Sequence, residues 1–166
     1  MFKNLFKKDN KEAKEDGITI FNPIDGEIVS LEEVPDEVFS QKMLGDGFAI
    51  KPTGEKVYAP IAGEIKVLFP TLHAIAIETK DGLELLVHIG IDTVELKGEG
   101  FEAHVKLGDK VKAGDLLVSF NKKIIEDNGK ATITPVIITN MDLVKDLSMD
   151  YGVKNANDKV AVAKIS

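Results

Sequence analysis

Cysteine is absent from the 166 residues, so the chain has no disulfide framework and no thiol chemistry of its own. Arginine is absent as well, and all 21 basic side chains are lysines. A planar, bidentate guanidinium clamp for phosphate would therefore have to come from a partner. No apolar run approaches the roughly 18 residues of a spanning helix, and no secretory apolar region stands at the N-terminus. Cytoplasmic location is the expectation. An excess of positive charge is also missing: the formal net charge is −7, which argues against nucleic acid as a partner.

The remaining composition, 43% hydrophobic and 30% charged, is that of an ordinary globular protein. One domain spanning residues 18–166 is expected, long enough for a sizeable core. Residues 1–17 read as a separate, flexible, basic tail. Within residues 1–8, Lys3, Lys7 and Lys8 accompany Met1, Phe2, Leu5 and Phe6 with no acid. At helical spacing these apolar residues share a side, which fits weak contact with an anionic membrane surface. A frayed terminus accounts for them equally well.

From Ile18 onward, short apolar runs alternate with turn signals such as Gly45-Asp46-Gly47, Pro52-Thr53-Gly54, Asp81-Gly82, Gly108-Asp109 and Gly114-Asp115. This rhythm predicts an all-β, antiparallel sandwich or barrel-like domain with a few short helices. Pro23-Ile24-Asp25-Gly26-Glu27-Ile28 returns as Pro60-Ile61-Ala62-Gly63-Glu64-Ile65, thirty-seven positions later, which reads as one β-unit used twice. Helix is expected after Asp36, over Lys122–Asp127, and after Asn140 with Leu143, Val144 and Leu147 inward. Ala131–Thr139 and Lys159–Ile165 read as strands.

Two of the three histidines, His73 and His88, lie on adjacent strand-like runs. In the first, Thr71, His73, Ile75 and Ile77 share a face. In the second, Leu83, Leu85, Val87, Ile89 and Ile91 form an apolar face, and Leu86, His88, Gly90 and Asp92 the other. Asp81-Gly82 as a two-residue turn would pair Lys80 with Leu83. His73 would then sit opposite Gly90 and diagonal to His88, about 7–8 Å away at the backbone. A three-residue loop would put the two rings on opposite faces.

Strand histidines more often serve structure than chemistry, and His104, between Ala103 and Val105, is read that way. His88 differs because Gly90, two residues on, leaves room beside the ring. The Gly90 carbonyl could accept the Nδ1 proton and free Nε2 as a nucleophile. Thr71 could orient His73 in a similar manner. Two neutral imidazoles at close range suit phosphoryl transfer or half of a zinc site. On spacing alone, ordinary packing competes with both. Zinc hydrolysis needs a third protein ligand; none is evident on these strands, with Asp92 and Glu95 the residues left open for that part. A biotin or lipoyl carrier, hinted at by the two Gly-Asp turns, lacks a lysine at a hairpin tip.

The run Leu85 to Phe101, LLVHIGIDTVELKGEGF, resembles the signature of the glucose-type enzyme IIA family of the bacterial phosphoenolpyruvate-dependent sugar phosphotransferase system. The similarity continues through Val34-Pro35-Asp36, Gly45 to Thr53 (GDGFAIKPT), Ala59-Pro60, Thr71-Leu72-His73-Ala74 and Thr134-Pro135-Val136, covering nearly all of 18–166. It implies that His88 is phosphorylated at Nε2, that His73 is the second active-site histidine, and that Thr71 orients it. The implied donor is the phosphohistidine of the phosphocarrier protein HPr, which carries arginine near its histidine; the acceptor is a cysteine on a sugar permease's IIB domain. Such a relay requires no cofactor, although a zinc ion shared with a partner through His73 and His88 is compatible with it. Docking would use an apolar patch of Val38, Phe39, Met43, Phe69, Ile75 and Leu86, rimmed by Asp36 and Asp92. Core packing is the competing explanation for each apolar member. Regulatory targets among other enzymes or transporters also fit the family.

Overall fold

A computed structural model describes residues 17–165. The expectations for the tail and its residues 1–8 lie outside the described residues. The chain runs β1 (Ile18–Phe21), β2 (Gly26–Val29), α1 (Glu37–Ser40), β3 (Asp46–Pro52), β4 (Lys56–Tyr58), β5 (Gly63–Leu68), β6 (Ala74–Glu78) and β7 (Glu84–His88). It continues with β8 (Phe101–Ala103), β9 (Lys110–Val111), β10 (Leu116–Phe120), α2 (Lys122–Asp127), β11 (Thr134–Ile138), β12 (Val144–Met149), β13 (Gly152–Lys154) and β14 (Lys159–Ile165). All strand pairs among the described residues are antiparallel.

Eight strands form one sheet in the order β13-β2-β3-β11-β7-β6-β5-β9. Two three-stranded sheets, β1-β14-β12 and β4-β10-β8, pack against it. Period-two alternation decides which side chains go where. Ile28, Phe48, Ile50, Ile75, Ile77, Leu85, Val87, Val136 and Ile138 enter the main core between the sheets. Their neighbours Val29, Ala49 and Ile137 point to the opposite face and build a second cluster with Leu31, Val34 and Phe39. The segment from Leu31 to Phe39 thus covers part of the outer face. His88, which alternates with Val87, emerges on that outer face at the end of β7.

The repeated hexapeptide proves to be structural. Sheet order is symmetric about the β11–β7 pair, which places β2 opposite β5 and β13 opposite β9. Phe21 N donates to Pro60 O at 2.9 Å, and Tyr58 N donates to Pro23 O at 2.8 Å, so the two copies exchange hydrogen bonds. Asn22 N reaches Asp158 O just as Ala59 N reaches Asp115 O, each at 2.7 Å. A Cβ at Gly26 would lie 2.3 Å from Lys51 O, and one at Gly63 would lie 2.3 Å from Glu78 O. Both copies keep glycine because the neighbouring strand approaches too closely for a side chain. The Gly-Asp dipeptides are turns whose aspartates accept hydrogen bonds, Asp109 Oδ2 from Lys106 N and Asp115 Oδ2 from Lys112 N, both at 2.8 Å.

Two local expectations fail. After Asn140 there is a 3-10 turn over Met141–Leu143, not a helix, and Val144 then enters β12. The apolar residues that fit a helical period are claimed by pairing with β14. Asn140 caps nothing; its side chain accepts from Glu84 N at 2.9 Å and donates to Gly82 O at 2.7 Å, pinning the β6–β7 connection. That connection is itself the second failure. Thr79 pairs with Leu83 around a three-residue loop, Lys80-Asp81-Gly82, with Gly82 at φ +93°. A glycine in the left-handed region at the third position is the usual way to close such a loop. The Thr79 hydroxyl accepts from Leu83 N at 3.1 Å and secures it. Pairing is therefore shifted by one: Ala74 faces His88, and Ile75 faces Val87.

Candidate functional site

His88 closes β7, and the chain then leaves the sheet through Gly90 at φ +72° and Asp92 at φ +59°. A Cβ at Gly90 would meet Thr93 Cγ2 at 2.6 Å and Ala131 O at 2.8 Å, so both space and backbone demand glycine. Thr93 Oγ1 donates to Ile89 O at 2.5 Å, and Ile91 N donates to Ala131 O at 3.0 Å, which fixes the loop. The Gly90 carbonyl lies 2.7 Å from His88 Nδ1, as expected from the spacing. A carbonyl can only accept, so in the neutral ring the proton sits on Nδ1 and Nε2 carries the lone pair.

With the shifted register, strict alternation would send His73 into the core beside Ile75. It does not go there, because His73 precedes β6 and sits in a bend. Leu72 N donates to Phe69 O at 2.8 Å, closing a tight turn through Pro70 and Thr71. Leu72 follows at φ +61°, a conformation that costs a leucine about 1–2 kcal/mol. The reversal swings the next side chain onto the outer face. His73 O meanwhile accepts from Ile89 N at 2.6 Å, tying the bend to the strand after His88. Thr71 Oγ1 lies 2.6 Å from His73 Nδ1.

The two rings meet with centroids 5.0 Å apart and planes at 83°. Phe39 packs on His88 at 4.9 Å, and Phe69 lies edge-on to His73 at 5.2 Å. His73 is only 3% exposed, and burial, with some repulsion from His88, lowers its pKa to about 4. Burial also lowers the pKa of His88, while the Gly90 hydrogen bond and the Asp36 and Asp92 carboxylates pull the other way. Both rings are therefore neutral near pH 7.

Around the pair, Asp36 caps α1 through Oδ1, which accepts from Val38 N at 2.9 Å. Val38 and Phe69 are exposed, and Met43 is exposed at 67%. Leu86, two residues before His88 on the same face, is half-buried against the second cluster. Phe39 is 5% exposed, a member of the second cluster whose ring packs on His88. Ile75 must be removed from the expected patch: it is 0% exposed and belongs to the main core, a direct consequence of the one-residue register shift. Leu44 and Val94, on the segments that carry Met43 and Asp92, are exposed apolar residues that pattern reading missed. Neither occupies a strand position, so no period could single them out. His104 lies elsewhere, exposed, its Nε2 2.7 Å from Ser119 Oγ. Among the described residues, no group of three His, Cys, Asp or Glu could hold a metal ion, and no helix is long and apolar enough to cross a membrane.

Residues 18–144 match the family profile of the phosphoenolpyruvate-dependent sugar phosphotransferase system, EIIA 1. The chain belongs to this family. A glucose-specific EIIA component from Oceanobacillus iheyensis is 54% identical over 147 residues, covering 89% of this chain and 88% of that protein. One from Staphylococcus aureus is 52% identical over 149 residues, covering 90% and 89%. Among solved structures, the glucose permease IIA from Mycoplasma capricolum aligns with a TM-score of 0.83 at 43% identity, covering 87% of this chain and 94% of that one. As an EIIA family member the chain is a phosphotransferase component, a phosphoryl carrier of the sugar phosphotransferase system. Nothing in these relationships supports a zinc hydrolase.

Proposed function

We propose that His88 Nε2 accepts the phosphoryl group from phospho-HPr and passes it to the IIB cysteine of a permease, glucose being the sugar named for its relatives. In the first step the Nε2 lone pair attacks phosphorus, the donor's P–N bond breaks, and the donor imidazole leaves with the electron pair. In the second, the acceptor thiolate attacks phosphorus and the P–Nε2 bond breaks. The observation that carries this reading is the 2.7 Å contact of His88 Nδ1 with Gly90 O, which leaves Nε2 as the free nucleophile in a neutral ring.

His73 serves as the hydrogen-bond donor. With the Thr71 hydroxyl donating to Nδ1, His73 carries its proton on Nε2, beside the ring of His88. That N–H can stabilise the phosphoryl oxygens as charge redistributes in flight. Val38, Phe39, Met43, Phe69 and Leu86 form the docking face, with Asp36 and Asp92 at its rim. A chain without arginine relies on the guanidinium of its donor to complete the electrostatics.

We read the relay as cofactor-free and cytoplasmic, carried by residues 18–166. The two imidazoles offer only two of the four donors of a zinc site, so an ion there would have to borrow the rest from a docked partner. The test is incubation with phosphoenolpyruvate, enzyme I and HPr, followed by assay for acid-labile, base-stable phosphate. The expected result is one labelled group that His88→Ala abolishes; absence of label, or label surviving that change, overturns the reading. His73→Ala is expected to accept label but pass it on about ten-fold or more slowly, the loss of roughly one good transition-state hydrogen bond.

A further inference from the structure

The left-handed residues other than glycine are Lys42, Leu72, Asp92, Lys97 and Asn157, among the described residues. Four of them lie on the segments that carry the histidine site: Lys42 after α1, Leu72 before His73, Asp92 and Lys97 in the loop after His88. Strained backbone concentrates where a surrounding structure over-determines it for a purpose. Asp92 and Asn157 are residue types that enter this region readily, whereas Leu72 is an apolar residue that does not, and it directly precedes His73.

We propose that Leu72 is a positioning residue of the relay, whose left-handed backbone sets the His73 ring beside His88. Four observations converge on it. Ile75 and Ile77 enter the main core and face Val87 and Leu85, so the phase of β6 assigns position 73 to the core side. His73 nonetheless meets His88, 5.0 Å away on the outer face. Between Phe69, whose N–H donates to Ala74 O at 3.1 Å, and Ala74 at the head of β6, Leu72 is the residue with positive φ. Thr71 and Phe69, which contact the His73 ring from either side of the same turn, depend on that reversal to reach it. The inference rests on His73 being the second member of the relay, but its geometric content can be measured separately.

Two classes of substitution separate backbone from side chain. Leu72→Gly and Leu72→Asn adopt the left-handed region readily. Leu72→Ile and Leu72→Val are β-branched and resist it. The readouts are nuclear Overhauser contacts between the His73 and His88 ring protons, the His73 titration, and the rate of phosphate transfer to the IIB domain. Glycine and asparagine are expected to keep the ring contact, the titration near 4 and a rate close to that of the parent protein. Isoleucine and valine are expected to lose the contact and move the titration toward the ordinary 6.5. Their onward transfer should fall about ten-fold or more, as for a catalytic group misplaced by an ångström, while His88 still takes up label. Rings that remain together in the β-branched variants, or separate in the glycine or asparagine variants, overturn the proposal. If the β-branched chains fail to fold, the glycine and asparagine variants still decide it. Transfer from His73→Ala at the parent rate would remove the relay role of His73, leaving the ring contacts to judge Leu72 alone.

Discussion

At the scale of single residues, the geometry of the site divides into contacts that are local in sequence and one that is not announced there. Gly90 is two residues from His88 and Thr71 two from His73, so both hydrogen bonds could be read from spacing and donor–acceptor chemistry. Leu72 gives no such sign, because leucine is the wrong residue type for a left-handed turn. Burial of His73 has a measurable consequence. Its pKa is about 4 when folded, against 6.5 ordinarily, so the unfolded chain binds more protons between those values. Stability is therefore full above pH 6.5 and declines as pH falls toward 4, because unfolding then takes up a proton. Urea unfolding at pH 7 and pH 5 should show a smaller decline for His73→Gln than for the parent chain. An unchanged difference between the two pH values would contradict the assignment.

The elements tell a more mixed story. The helix over Lys122–Asp127 and the strand over Lys159–Ile165 match their expected boundaries, since Asn121 and Asn128-Gly129 punctuate the first and the second is a short apolar, valine-rich run. The β6–β7 loop is one residue longer than Asp81-Gly82 predicts, because Asp-Gly serves a two-residue turn and the end of a three-residue turn alike. That single residue moves Ile75 from the docking face to the core. Ile75→Ala is accordingly expected to cost about 2–5 kcal/mol of stability through lost burial and a residual cavity. Leu86→Ala, at a half-buried position, should cost distinctly less and act mainly on docking. Chemical denaturation of both variants checks this, and equal, small losses would return Ile75 to the surface. The histidines still meet because the Phe69–Leu72 turn compensates for the shifted register, so the expected neighbourhood was right by a different route.

For the whole molecule, short runs and frequent turns suffice to read an antiparallel β fold, and a hexapeptide repeated with five identities marks a duplication that spans the large sheet. Its long-range consequence, the pairing of segments 22–29 and 59–68 with distant strands β13 and β9, was not legible, since nothing local encodes a partner more than forty residues away. Partner identity came from family resemblance. The net charge of −7 and the Asp36–Asp92 rim suit a basic partner met by electrostatic steering. The rate of phosphate acceptance from HPr should fall as ionic strength rises past 0.1 M, where the screening length is about 10 Å. A rate indifferent to salt would place docking on the apolar face alone.

In the proposed relay, Gly90 O holds the Nδ1 proton of His88 and leaves Nε2 to carry the phosphate. Nitrogen-15 and phosphorus-31 NMR of the chain phosphorylated by phospho-HPr addresses it directly. A phosphorus coupling to Nε2 of His88, with Nδ1 still protonated, is the expected result. Phosphate on Nδ1, or on His73, His104 or any other side chain, would contradict it.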